Sequence, residues 1–497
     1  MFGLVPQSLV VFCVLSICSL FATVASQNKN VVCYYSNWSQ YRPDVGKYDV
    51  SKIDPYACNY YIFAFAQLNG TAILPYEVND DQNPWMWRQF TQLKLTNTKA
   101  KMLLAIGGYT HGTLRFSRVA ANPDSRAEFA RSAITHLRYW KFDGLDVDWE
   151  YPGDDSPDDK ENLSLLMQAL FEAFERESLS QNLPRLILAA AVPAGISRLE
   201  KGYDIPRLNR YLDLFNVMTY DFHGLWESTT NAASPLNAAD GDSLNVVSAM
   251  EYYVAKGASK SKLNVGVAFY GRSWTLRDVN DNVMGSPTIG GGQAGLYTRE
   301  SGVLSYYEVC RHLTNGYAEH YDSVGKVMYA TSGNQFITYE NENTLNIKID
   351  YILSNGFGGA MVWALDHDDF TGNFCGKGSY PLMKVVSSRV LNAPDTPQES
   401  SSTSSSTAAT TQSTSTPTTT ANTIPTTARP VPTQNSGNST TKYSCPKPDG
   451  IFSDETSCMT YYVCRRNIGY RTRCSSPEIY SPQAQKCVSP QKYTCPL

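Results

Sequence analysis

Eight short apolar runs, separated by helix-patterned stretches, constrain the fold of this chain more than any other feature. They are Val31–Tyr35, Tyr60–Phe65, Met102–Ile106, Gly144–Asp148, Leu186–Val192, Phe215–Thr219, Leu263–Ala268 and Gly359–Trp363. Each has strand length, while Leu163, Leu166, Leu170, Phe171 and Phe174 recur at helical spacing between two of them. Ser156-Pro157-Asp158-Asp159 ahead of that stripe reads as a helix start, with a capping side chain and proline in the first turn. Strands alternating with helices in this number point to an α/β fold, a (β/α)8 TIM barrel. The gap between the seventh and eighth runs is long and rich in Tyr and Gly. It predicts an inserted α+β subdomain at residues 271–340, before the last strand.

The fourth run continues as Phe142-Asp143-Gly144-Leu145-Asp146-Val147-Asp148-Trp149-Glu150-Tyr151. Asp146, Asp148 and Glu150 recur every second residue, the side-chain period of a strand. Their carboxyls therefore share one face, about 7 Å apart for each two-residue step. Asp143 has the opposite parity and is expected to point away. Like charges held so close cannot all ionise, so at least one proton is retained near neutral pH. A retained proton beside an ionised partner is what acid catalysis of bond cleavage needs. A merely solvated acidic strand fits poorly with Leu145, Val147 and Trp149, which mark a buried one.

The ends of the chain differ from its middle. Residues 1–26 read as a secretory signal: Leu9–Leu20 is an apolar core, and Val24 and Ser26 are small residues before a cut near Gln27, although a positive leading segment is missing. No later run approaches the ~20 apolar residues of a membrane span. Of 12 cysteines, Cys13 and Cys18 lie in the signal. Cys33, Cys58, Cys310 and Cys375 are scattered, and six more crowd the C-terminus, which in a secreted chain argues for disulfides. Asn37, Asn69, Asn162 and Asn438 head possible N-glycosylation sequons. Ser, Thr and Pro dominate residues 394–442, a segment unable to bury a core and suited to be an O-glycosylated tether. A net charge of −4 gives no basic footprint for nucleic acid.

Asp-Gly-x-Asp-x-Asp-x-Glu resembles the signature of glycoside hydrolase family 18, the chitinases. Val32-Cys33-Tyr34-Tyr35-Ser36-Asn37-Trp38, Ala105-Ile106-Gly107-Gly108, Met218-Thr219-Tyr220-Asp221-Phe222-His223-Gly224, Tyr270-Gly271-Arg272-Ser273-Trp274 and Gly358-Gly359-Ala360-Met361-Val362-Trp363-Ala364 resemble its other stretches, over residues 27–393. All fall at or just after strand C-terminal ends, where such barrels place their sites. The resemblance implies hydrolysis of β-1,4 bonds between N-acetylglucosamine units by substrate assistance, with the sugar's own acetamido oxygen as nucleophile. Glu150 is then the general acid, Asp148 orients the acetamide, Asp146 exchanges a proton with Asp148, and Tyr220 holds the acetamide carbonyl. Trp363 is expected under the distorted sugar, Trp38 on the non-reducing side and Trp226 on the opposite side. Met218, Asp221 and Arg272 are expected to line the pocket, with Phe65, Gly108 and Tyr270. Two departures from many relatives stand out: Tyr109 occupies a position often held by Trp, and Phe336 replaces another Trp. No cofactor and no metal is implied, and a monomer is expected. The barrel disulfides expected are Cys33–Cys58 and Cys310–Cys375.

Other signals are weaker. His223 beside Asp221 lacks a serine motif and reads as a packed polar residue. Asp366-His367-Asp368-Asp369 lacks a second liganding cluster and reads as a solvated loop after the last strand. Gly290-Gly291-Gly292 lacks the context of a phosphate loop.

Residues 443–497 form a small disulfide-rich module with Cys445, Cys458, Cys464, Cys474, Cys487 and Cys495. Six cysteines allow fifteen pairings. Their spacing resembles the peritrophin-A chitin-binding module, carbohydrate-binding module family 14, although the first interval is short. That resemblance implies Cys445–Cys464, Cys458–Cys495 and Cys474–Cys487, with Tyr461, Tyr462, Tyr470 and Tyr480 as sugar-stacking candidates. The whole reads as a secreted, extracellular, endo-acting chitinase whose partners are chitin and chito-oligosaccharides. The alternative is a lectin-like chitin binder, whose relatives typically lack the acid.

Overall fold

The computed structural model describes residues 29–238 and 241–393 and, nearer the C-terminus, 446–447, 450–454, 457–465, 468–474, 479–483 and 486–489. The expected signal at 1–26, the tether at 394–442, Asn438, Cys445 and Cys495 lie outside the described residues, as do the side chains of Cys464, Tyr470 and Cys487.

Eight parallel strands close on themselves: β1 (Asn30–Ser36), β2 (Tyr60–Asn69), β3 (Lys101–Gly107), β4 (Gly144–Asp148), β5 (Ile187–Pro193), β6 (Leu214–Met218), β7 (Leu263–Ala268) and β8 (Gly359–Trp363). Each pairs with its sequence neighbour, and β8 pairs back to β1. Alternation divides the strands between two cores. Val31, Cys33 and Tyr35 face the helical layer, while Val32 and Tyr34 face the barrel interior with Ile62, Ala64, Leu103, Ala105, Ala189 and Met361. Strands covered on both faces read as near-continuous apolar runs, which is why all eight showed, with Asp146, Asp148, Asn216 and Asn264 as polar exceptions.

The stripe Leu163–Phe174 lies on a helix spanning Asp159–Gln181. Its start differs from expectation. Pro157 precedes the helix, and Asp158 caps it without a side-chain hydrogen bond. The buried carboxylate is Asp159, which accepts from Ser117 Oγ at 2.7 Å and from the Gly153 amide at 3.2 Å.

The insertion is a six-stranded antiparallel sheet with a helix at Tyr306–Thr314. Its central strand Tyr270–Leu276 pairs with Thr288–Gly291, Val303–Ser305 and Gln335–Tyr339. Cys310 on that helix is bonded to Cys375 beyond β8, and Cys33 on β1 is bonded to Cys58.

The segment Asp366–Asp369 is buried, not solvated. Asp366 accepts from Ser36 Oγ (2.7 Å) and pairs with Arg42 (2.7 Å). Asp368 accepts from the Met383 amide (2.8 Å), and Asp369 from the amides of Gly372, Phe374 and Cys375 (2.8–2.9 Å). Donors from distant segments satisfy carboxylates that a local reading assigns to water.

In the C-terminal unit, Gly450–Ser453, Thr460–Arg465 and Ile468–Arg473 form an antiparallel sheet, and Ile479–Ser481 pairs with Lys486–Val488. Cys458 and Cys474 are disulfide-bonded. Tyr480 is buried and stacks on Tyr461 with centroids 4.7 Å apart. It is a packing residue and has no free face for a sugar. Tyr461 and Tyr462 are half-buried.

Candidate active site

The chain leaves β4 through Trp149 to Glu150 at the C-terminal face of the barrel. Trp149 turns outward, stacks on Phe116 (5.4 Å) and donates to Thr113 Oγ1 (2.6 Å). Asp143 also points away, to Lys94 Nζ (3.0 Å) and the Met102 amide (2.8 Å), as the alternation predicts. Asp146 and Asp148 turn inward and are buried. The register leaves room for them: Asp146 sits between Ala105 and Ala189. Beyond β3, the Gly108 amide donates to the Asp148 carbonyl at 2.9 Å. Gly107 has φ +113°, and a Cβ there would lie 2.0 Å from that same oxygen. Only glycine permits this approach of β3 to the acidic strand.

The three acids sit in different surroundings. Asp146 accepts from Tyr34 Oη (2.7 Å) and Asn216 Nδ2 (3.1 Å). Burial nevertheless pushes its carboxyl up to about 7, against both bonds. Asp148 is pushed well above the carboxylate range, by burial first and then by the charges of Glu150 and Asp146. Among the described residues its Oδ1 has no hydrogen-bond partner. Glu150 is raised to about 7 by burial, with the Tyr151 hydroxyl and the Arg198 charge opposing and the Asp221 charge adding to it. No lysine or arginine among the described residues pairs with any of the three. The row therefore holds protons near neutral pH and can donate one. Burial also lifts the Tyr220 hydroxyl, so it stays protonated and remains a donor.

An aromatic wall stands beside the acids. Phe65, Trp38 and Trp363 form a triangle of rings: Phe65 stacks on Trp38 (6.0 Å, 15°) and on Trp363 (5.9 Å, 29°), and the two tryptophans lie 6.2 Å apart; a Cβ on Gly108 would meet the Phe65 ring at 2.6 Å. Trp38 remains 39% exposed, enough to offer a face. It opens on a groove of about 430 Å³ lined also by Tyr41, Arg42, Tyr297, Thr298, Arg299 and Glu300. Asp221, Tyr270 and Arg272 line the same groove. Asp221 accepts from Tyr270 Oη (2.6 Å) and from Arg272 Nε (2.7 Å) and Nη2 (2.5 Å). Arg272 lies 5.3 Å over the half-exposed ring of Trp226. Met218 is half-buried against the interior core. Tyr109 is exposed and makes no ring contact among the described residues. Phe336 is buried under Tyr329 (5.2 Å), so its departure from Trp changes packing within the insertion and no groove surface.

Some expected residues fall elsewhere. Asn37 is buried, and its amide donates to Asp80 (3.1 Å) and the Phe65 carbonyl (3.4 Å). The folded chain cannot present it to a glycan, whereas Asn69 is exposed and Asn162 half-buried. His223 is packed against the Glu227 carboxylate at 3.0 Å. Other groups at the site went unread in the sequence: Tyr34 and Asn216 on Asp146, and the groove loop at Tyr297–Glu300. That loop hangs on buried Glu308, which accepts from the Tyr297 and Thr298 amides and the Thr298 hydroxyl. The signal for Asn216 was an amide set within the apolar run of β6.

A closed (β/α)8 barrel that delivers a row of proton-holding carboxyls to an aromatic groove has the makings of a carbohydrate-active hydrolase. Glycosyl hydrolases family 18 matches residues 30–368, and the Chitin binding Peritrophin-A domain matches residues 445–495. The chain belongs to glycosyl hydrolase family 18 and carries a peritrophin-A domain. It is 40% identical to mouse chitotriosidase-1 over 74% of this chain and 79% of that one. It is 36% identical to the endochitinase of Brugia malayi over 92% and 93%. Among solved structures, human YKL-39, described as a pseudo-chitinase with retained chitooligosaccharide binding, superposes with TM-score 0.69 at 35% identity, covering 72% of this chain and 98% of that one.

Proposed function

We propose that this protein is a secreted chitinase that cleaves β-1,4 bonds between N-acetylglucosamine units inside chitin chains, with retention and substrate assistance. The observation that carries the reading is the buried row Asp146–Asp148–Glu150, in which burial raises the carboxyls so that protons are held within the row, and with which no lysine or arginine among the described residues pairs. Glu150, outermost of the three, protonates the leaving oxygen and later takes a proton from incoming water. The acetamido oxygen attacks the anomeric carbon and forms an oxazolinium ion. Asp148 orients the acetamide, Tyr220 donates to its carbonyl oxygen, and Asp146 exchanges a proton with Asp148. Trp363 supports the distorted sugar, Trp38 stacks a unit on the non-reducing side, and Trp226 serves the leaving side. Residues 394–442 act as a glycosylated tether for a chitin-binding module at 443–497, which raises the enzyme's concentration on an insoluble polymer. YKL-39 supports the opposing reading, binding without cleavage.

One assay separates these readings: hydrolysis of labelled chitin oligosaccharides by the purified protein, with the product anomer followed by NMR. A β-anomer as first product is expected. A predominantly α product would mean inversion, and no product would leave the lectin-like reading. In the same assay, a chain lacking residues 443–497 should keep its activity on soluble oligosaccharides and lose much of it on crystalline chitin. Equal loss on both would end the tethered picture.

A further inference from the structure

Three asparagines cross the barrel interior in a single hydrogen-bonded row that ends on Asp146. Asn216 Nδ2 donates to Asp146 Oδ1 at 3.1 Å, Asn264 Nδ2 to Asn216 Oδ1 at 3.0 Å, and Asn30 Nδ2 to Asn264 Oδ1 at 3.1 Å. Asn216 and Asn264 are fully buried, and Asn30 keeps 9% of its surface. The strand register builds the row. Asn216 is level with Asn264, Asn264 with Gly359, and Gly359 with Asn30. Gly359 stands where a side chain would part the last two amides, and a Cβ there would lie 1.8 Å from the Asn30 carbonyl oxygen.

The direction of the row follows from its end. An ionised carboxylate only accepts, so Asn216 must turn its NH2 toward Asp146 and its oxygen toward Asn264. Asn264 must then donate, and its own oxygen needs a donor, which Asn30 supplies. Every amide points the same way, and aligned hydrogen bonds of this kind strengthen one another. Asp146 takes its second bond from Tyr34 on β1, and the other titratable groups around this centre are Asp148 on its own strand, Glu150 just beyond it and Tyr220 beyond β6. No cation bonds to it among the described residues. Two donors on Asp146 stand against a free Oδ1 on Asp148.

We propose that Asn216, Asn264 and Asn30 are positioning residues that keep Asp146 ionised and so place the resting proton on Asp148. The consequence for catalysis rests on the chitinase reading above. If the row is cut at Asn264, the Asn216 oxygen loses its donor. Asn216 then keeps its amide contacts with Asp146 and Tyr34 Oη (3.3 Å) but loses the bond that fixes its oxygen, so it donates to Asp146 less strongly and a proton on Asp146 is favoured.

The test is the pH dependence of turnover on a soluble chitin oligosaccharide for the full chain, Asn264→Ala and Asn30→Ala. In Asn264→Ala the acid limb of kcat should move toward neutral pH by about one unit, as expected for loss of a hydrogen bond to a charged form. KM and the basic limb should stay in place. Asn30→Ala, at the outer end of the row, should move the same limb less. It also decides the matter if Asn264→Ala does not fold. A uniform loss of kcat with neither limb moved would mean that the row only packs the barrel, and the proposal would fall. Difference infrared titration of Asp146, taken against Asp146→Asn, reads the same protonation without turnover. Its carboxylate should appear at lower pH in the unmodified chain than in either variant, and coincident titrations would overturn the proposal. This second readout stands even if the protein cuts no chitin, so failure of the row and failure of the chitinase reading remain distinct.

Discussion

Asp146, Asp148 and Glu150 leave β4, and Asp366, Asp368 and Asp369 follow β8, so two acid-rich segments stand at the same face of one barrel. Asp146 and Asp148 are as buried as the three acids beyond β8. They differ in what meets them. Beyond β8, Arg42 and the Ser36 hydroxyl hold Asp366, and backbone amides hold Asp368 and Asp369. Beyond β4, no cation among the described residues arrives and one oxygen of Asp148 finds no partner among them. A raised pKa alone does not tell the two apart, since burial lifts Asp368 to about 7 as it does Asp146. The distinction is partnership: the β8 acids and Asp146 spend their oxygens on the fold, whereas Asp148 keeps an oxygen that no described residue meets, capacity for something that is not protein.

Glu150→Gln is the sharpest way to break this contrast. It removes the proton source and keeps the shape. Turnover should fall by at least ~10², while oligosaccharide binding, followed by calorimetry, persists and thermal stability holds. In the unmodified chain, activity should decline as pH rises through about 7, where Glu150 gives up its proton. Near-normal turnover in the variant would take the acid role from Glu150 and the functional meaning from the comparison.

The mirror experiment is Asp366→Ala. Removing one partner of a buried pair leaves Arg42 uncompensated, which typically costs about 3–5 kcal/mol. Denaturant unfolding should show that loss, while the folded fraction keeps most of its turnover. If activity collapsed without a loss of stability, the β8 segment would belong to the chemistry after all.

Most of the barrel was legible because each strand is buried on both faces and so carries a mostly apolar run. Leu186–Val192 was expected and Ile187–Pro193 is found. The acidic row was legible for the same reason inverted, as charges at strand period inside such a run. What stayed hidden depends on contacts far apart in sequence. Asp366 to Asp369 look solvated until Ser36, Arg42, Leu382 and Met383 are brought to them. Asn37 looks like a glycan acceptor until Asp80 takes its amide. Tyr480 looks like a sugar platform until Tyr461 covers it. Ser156-Pro157-Asp158-Asp159 looks like a side-chain-capped start with proline in the first turn, but the helix begins at Asp159, after the proline, and the Asp159 carboxylate is drawn into tertiary bonds.

The subtlest consequence of the contrast is a pair of opposite pH slopes in stability. For an acid whose folded pKa is raised, the folded state binds more protons than the unfolded one between the two values, so stability falls as pH rises through that window. Asp146 and Glu150, raised from near 4 to about 7, both contribute this way, and so does Asp368. Each unit of upward shift corresponds to about 1.4 kcal/mol once the group is forced to ionise. Asp366 behaves in the other sense. Burial alone would raise it, but Arg42 and Ser36 override burial and hold it below its ordinary value. Its contribution is present above the unfolded pKa and is lost as pH falls through the folded one. Melting temperature against pH for the unmodified chain, Asp146→Asn and Asp366→Asn should show both slopes. Asp146→Asn should flatten part of the decline between pH 4 and 7 and leave the acid side alone, while Asp366→Asn should be less stable at neutral pH and lose less on acidification. If both variants changed the same side of the curve, the two acidic segments would share one electrostatic character, and partnership would not be what separates them.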